Sequence, residues 1–191
     1  MKFGQLLLIS SLLILSGCSS LTHDEAAEQR AELDTMASTA IDGFLTDEPG
    51  LKGQIDSSLA YGVANMKVTK IPFFGAGGGK GVLVIKDQEQ HIYFTIQRLD
   101  FGAGWGARSF KALIILNKQD LVDDWKNGEW RFELGAEASA GTLAAEGTSQ
   151  DLHPDFSLHV LSDGGASATV TARVIRASVN KDITETLSDK P

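Results

Sequence analysis

Five glycines, Gly75, Gly77, Gly78, Gly79 and Gly81, crowd around Lys80 in "FFGAGGGKGVLVI" (73–85). A lysine among glycines is the composition of a phosphate-cradling loop, but the spacing is wrong for one. The pattern G-x-x-x-x-G-K-[ST] needs glycine where Phe74 stands and a hydroxyl where Gly81 stands. The dinucleotide pattern G-x-G-x-x-G begun at Gly75 ends on Lys80. Begun at Gly102, "GAGWGA" fits G-x-G-x-x-A, yet the residues from Ser109 onward read as strand where that fingerprint requires a helix N-terminus. Nucleotide chemistry fails on context.

Other reactive types are scattered. Ser139 in "EASAG" lacks the first glycine of a nucleophile elbow. His91, His153 and His159 have no metal-site spacing, and His159 falls on the outward face of "FSLHVL". Asp123 and Asp124 beside Trp125 read as the wet side of a short helix. The chain is not expected to be an enzyme, and no catalytic residue, metal or cofactor is expected.

The glycines also repeat. "FGAGGG" (74–79) and "FGAGWG" (101–106) share their spacing, and each is followed by a base and an apolar strand. Glycine at alternate strand positions strips one face of side chains and permits twist, a bulge or close approach. Because glycine also weakens a strand, two such rows need a reason. Either the protein's own helix or aromatic groups pack against them, or a ligand's apolar tail does.

Around these rows the elements are legible. Thr22 and Glu25 have capping-box spacing, and Leu33, Met36, Ala37, Ala40, Ile41, Phe44 and Leu45 form one helical stripe that Pro49-Gly50 ends. A shorter helix fits Leu51, Ile55 and Leu59. "GVLVI" (81–85) and "ALIIL" (112–116) read as strands covered on both faces. "HIYFTIQRL", "WRFEL", "FSLHVL" and "ATVTARVI" alternate, and Leu121, Val122 and Trp125 give one more short helix its apolar side. Helices followed by many strands predict an α+β fold: N-terminal helices packed on a glycine-rich, mainly antiparallel sheet or partly closed barrel. Residues after Val179 read as a loose tail.

The first residues, "MKFGQLLLISSLLILSGC", have the n-region, apolar core and small-residue site of a secretory signal. "LSGC" resembles the lipobox of bacterial lipoproteins, and Cys18 is the single cysteine of the chain. The expectation is a signal peptide over 1–17, acylation of Cys18, a tether over 18–22, one domain over 23–180 and a tail over 181–191. Ser19 stands where aspartate would favour inner-membrane retention, so the expected place is the outer membrane, facing the periplasm. Loss of Lys2 with the leader takes the net charge from −8 to −9. Against that, residues 66–118 hold eight bases and three acids. Such an island either forms a patch for an anionic partner or is dispersed by folding over several faces.

"KIPFFGAGGGKGVLVI", "LDFGAGWGARSFKALIILN" and "NGEWRFELGAEASAG" together resemble the SYLF domain, a lipid-binding family. Lys80-Gly81, Gly102 to Ser109 and Gly135 to Gly141 match its blocks in order and spacing, and the resemblance runs from about Leu51 to Val179. It implies phospholipid binding, with phosphoinositides preferred by eukaryotic members and actin bound by some fungal ones. This chain departs from that setting. It has an export signal, no SH3 module and an acidic first helix, so actin and phosphoinositides are not carried over. Anionic phospholipid of a bacterial envelope is the ligand the resemblance implies here, with Lys80, Arg98, Arg108 and Lys111 as candidate phosphate partners. Phe73, Phe74, Trp105 and Phe110 are candidate seats for acyl or interfacial groups. The other reading puts those phenylalanines in the core and the bases in solvent, in an envelope protein that binds a protein partner and no small ligand. Nucleic acid is not an expected partner on either reading.

Overall fold

The computed structural model describes residues 21–142, 150–153 and 156–184. Helix α1 (His23–Asp47) starts as its spacing predicts. Glu25 N–H donates to Thr22 Oγ at 3.3 Å, and Thr22 N–H donates back to Glu25 Oε2 at 2.9 Å. After Pro49-Gly50 comes α2 (Leu51–Ser57). It is shorter than the sequence allows, because Ala60 already pairs with Ile85 and Leu116 in the sheet.

The sheet follows as β1 (Ala60–Ile71), β2 (Phe74–Ile85), β3 (Gln90–Phe101) and β4 (Gly104–Leu116). Helix α3 (Gln119–Lys126) leads to β5 (Glu129–Thr142), β6 (Gln150–His153) and the long β7 (Phe156–Val179). All pairings among the described residues are antiparallel, in the order β3-β2-β1-β4-β7-β5, with β6 also on β7. Strand β7 pairs β4 through Phe156–Thr169 and then β3 through Ala172–Val179. The sheet therefore curls towards itself as a partly closed barrel, and the fold is α+β.

Paired residues share a face, so the register sorts the side chains. Inside lie Ala64, Met66, Val68, Leu83, Ile92, Phe94, Phe110 and Ile114, closed at one end by Val122 and Trp125 of α3. Outside, Val63, Val82, Tyr93, Leu113 and Ile115 meet Leu33, Ala37, Ala40 and Phe44 of α1. Each large apolar side chain so buried contributes about 1.5–3 kcal/mol. "GVLVI" and "ALIIL" are continuous apolar runs because each serves both layers.

Glycines at 75, 77, 79 and 81 all point inward, and their space is taken by neighbours. A Cβ at Gly77 would stand 2.6 Å from Val68 Cγ2, and one at Gly79 would stand 2.6 Å from Met66 Sδ. For this row the protein's own side chains do the packing.

Polar contacts hold α1 in place. Asp34 accepts from the Tyr93 hydroxyl at 2.9 Å, and His91 Nδ1 lies 3.0 Å from its other oxygen. Burial, and then the Asp34 charge, pushes the Tyr61 phenol above its ordinary value. Of the loose tail the sequence predicts, residues 185–191 lie outside the described residues, but 181–184 are tied to the domain. Ile183 is fully buried against α1, and Arg30 donates to its carbonyl.

Candidate functional site

Where β1 turns into β2, Pro72 and Phe73 form the tip, and Phe73 has φ 74°. Glycine sits easily in that conformation and a bulky side chain does not. The tip leans on the β3–β4 corner, where Gly102 N–H donates to the Phe73 carbonyl at 3.1 Å. Gly102, Gly104 and Gly106 at this corner also have positive φ, which explains the second glycine row as a sharp change of strand direction.

Every large apolar side chain that is exposed among the described residues collects here: Ile71, Phe73, Phe74, Leu99, Phe101 and Trp105. Phe73 is 75% exposed and Trp105 is 71% exposed. The Phe74 and Phe101 rings meet edge to face at 5.8 Å, with Ile71 paired to Phe74 on the same outer face. Next to the tip, alternation sends the charged residues of these strands the other way. Lys70, Arg98, Asp100 and Arg108 are all buried on the inner face. Register puts Asp100, Gly75 and Lys70 in one row, with Arg98, Gly77, Val68 and Arg108 in the row below. Gly75 makes room for the upper row, since a Cβ there would meet Asp100 Cβ at 3.1 Å and Lys70 Cγ at 3.3 Å. Arg98 grips Asp100 through two bonds, Nε to Oδ1 at 2.7 Å and Nη2 to Oδ2 at 2.9 Å. The Arg108 guanidinium lies 5.7 Å from the Phe110 ring centre.

The candidate phosphate partners are thus divided. Arg98 and Arg108 lie inside the sheet. Lys111 is outside and donates to Asp163 at 2.6 Å. Lys80 is exposed beside α1, in a cleft of about 220 Å³ shared with Gln29, Glu32, Leu33, Met36 and Asn65. Folding disperses the basic island over both faces. Of the candidate apolar seats, Phe73, Phe74 and Trp105 stand together at the exposed tip, whereas Phe110 is core. Cys18 lies outside the described residues. Ile71, Leu99 and Phe101 are the members of the patch that sequence reasoning missed. They alternate with Lys70, Arg98 and Asp100, and a period of two does not say which set faces inward.

His159 is on the outer face as predicted, but it is buried under the α1–α2 corner. Its Nε2 lies 3.1 Å from Ser157 Oγ and its Nδ1 3.6 Å from Glu48 Oε2, the order of a nucleophile, a base and an orienting carboxylate. Ser157 is 5% exposed and sits against Gln54, so the hydroxyl has no open approach for a substrate. No group of His, Cys, Asp and Glu side chains among the described residues is arranged to hold a metal. None of the described helices is long and apolar enough to cross a membrane.

Compared with known proteins, the chain is 22% identical over 166 residues to beta cell expansion factor A of Aeromonas veronii. The match takes in 87% of this chain and spans 63% of that protein's length. No family model matches the chain. The similarity is that of a distant relative, extending over most of the sheet and helices described above.

Proposed function

We propose that this chain is a SYLF-family protein of the bacterial envelope, exported, acylated at Cys18 and held at the periplasmic face of the outer membrane, whose domain binds phospholipid. The distant likeness to beta cell expansion factor A, together with the three glycine-rich blocks, supports the family. The observation that carries lipid binding is the gathering, at one end of the sheet, of the exposed large apolar side chains found among the described residues. Single exposed apolar residues are ordinary, and a contiguous patch of them marks a binding surface. The contact proposed is with phospholipid at large. Of the candidate phosphate partners, Arg98 and Arg108 are buried on the inner face, whereas Lys80 and Lys111 flank Asn65 on the outer face, set back from the apolar tip.

That placement favours a second reading, in which the same end binds an envelope protein. Vesicle flotation of residues 18–191 with Cys18→Ser, against neutral and anionic liposomes, separates the two. Flotation supports the lipid reading. Absence of flotation with both compositions, with co-purification of one envelope protein, supports the second. Labelling cells with palmitate tests the anchor, and Cys18→Ala is expected to abolish incorporation.

A further inference from the structure

The patch lies at the far end of β2 from its helix-covered half. Phe74 is six residues from Lys80, which borders α1, and extended strand covers that in about 20 Å. Every exposed side chain in residues 71–76 and 99–107 is uncharged, in a chain of net charge −8. Protein interfaces need a polar rim and about one hydrogen bond per 100–200 Å², whereas the indole of Trp105 is the single hydrogen-bonding side chain exposed in these two stretches. Hydrocarbon asks for none. The polar residues begin one step back, at Thr69, Gln97 and Lys67, all exposed on the same face. Lys67 is four residues before Ile71, about 13 Å along the strand, at the depth where headgroup phosphates lie when a tip is buried 5–10 Å. Phe73 adds an independent sign. The turn would be easier with glycine at φ 74°, so the exposed ring is not there for the backbone's sake.

We infer that the β1–β2 tip and the β3–β4 corner enter the bilayer together as a blunt apolar wedge, with Lys67 at phosphate level and α1 held clear of the surface. This rests on the phospholipid reading above and specifies its mechanism: insertion by aromatic side chains, not phosphate capture by the candidate bases. Trp105 is at the edge of the wedge, where an indole prefers the boundary between hydrocarbon and water.

Residues 18–191 keep every described element, so the test uses that chain with Cys18→Ser and phosphatidylcholine vesicles at low and high salt. Binding is expected to be insensitive to salt, with a blue shift of Trp105 emission, quenched by brominated lipid and absent from Trp105→Phe. Phe73→Gly relieves the turn, so it is expected to leave the urea midpoint unchanged or higher while weakening partitioning by about tenfold. Leu99→Ser/Phe101→Ser is expected to weaken it further, and Lys111→Ala to leave it unchanged. If the parent chain binds but Phe73→Gly and the double variant bind equally well, the wedge is overturned and phospholipid binding stands. Loss of binding in salt overturns it in the same way. No binding to neutral or anionic vesicles removes both. A dimer that Phe73→Gly dissolves, with no vesicle binding, assigns the surface to a second copy.

Discussion

A Cβ placed on Gly81 would stand 2.6 Å from Cζ of Phe94, its partner across β2 and β3, and would also strike the Val63 carbonyl oxygen. Glycine is therefore the residue that lets the Phe94 ring lie over β2 and stack edge-on with Trp125 at 4.5 Å. Gly81→Ala is expected to destabilise the fold by about 1–3 kcal/mol through overpacking. Gly53 in α2 has nothing within 4 Å of its virtual Cβ, so Gly53→Ala is expected to raise stability by up to about 1 kcal/mol. Urea denaturation of both variants measures the contrast.

The Arg98–Asp100 pair is almost wholly buried, at 5% and 2% side-chain exposure. Asp100→Ala leaves the Arg98 guanidinium in the sheet interior without that carboxylate, which is expected to cost about 3–5 kcal/mol. Replacing both residues by apolar ones of similar size is expected to recover most of that loss. A double-mutant cycle in urea gives the coupling.

Ile183, in the stretch the sequence assigns to a tail, is 1% exposed and packs with α1. Ile183→Ala is expected to cost about 2–4 kcal/mol. A chain ending at Asn180 should lose at least as much, seen as a lower thermal midpoint. An unchanged midpoint for the truncated chain would show that the segment adds nothing.

The backbone and hydroxyl of Thr22 donate to Glu25 and hold its carboxyl below the ordinary value of 4.5. A lowered carboxylate pKa means stability that is present above the unfolded value and lost as pH falls through the folded one. The first turn of α1 should therefore loosen below about pH 4.5. Thr22→Ala is expected to move the Glu25 midpoint up towards the ordinary value in a carboxyl NMR titration.

Much of this molecule can be read along the chain because the relevant forces are local. The α1 cap needs Thr22 and Glu25 three residues apart, and its buried stripe recurs at helical period whatever it packs against. The doubly covered strands announce themselves by having no polar alternation, and the failure of the glycine segments as phosphate loops follows from spacing alone. The candidate site was half legible. Phe73, Phe74 and Trp105 stand out as aromatics among glycines, but Phe110 looks the same in sequence and is core.

What decides between them is strand register around a curled sheet. Phe110 shares a face with Met66 and Arg108, whereas Phe74 shares one with Ile71 and Phe101. Sequence by itself determined the α+β class, the element types and the two faces of each strand, because these depend on near neighbours and on the period of the side chains. Only the tertiary structure decided which face turned inward at the tip. There the usual order is reversed, with Lys70, Arg98, Asp100 and Arg108 buried and the aromatics outside. The Arg98–Asp100 grip within β3 makes that reversal tolerable, and the space left by Gly75 on β2 lets Lys70 of β1 and Asp100 of β3 come together, which only the pairing of the strands decides.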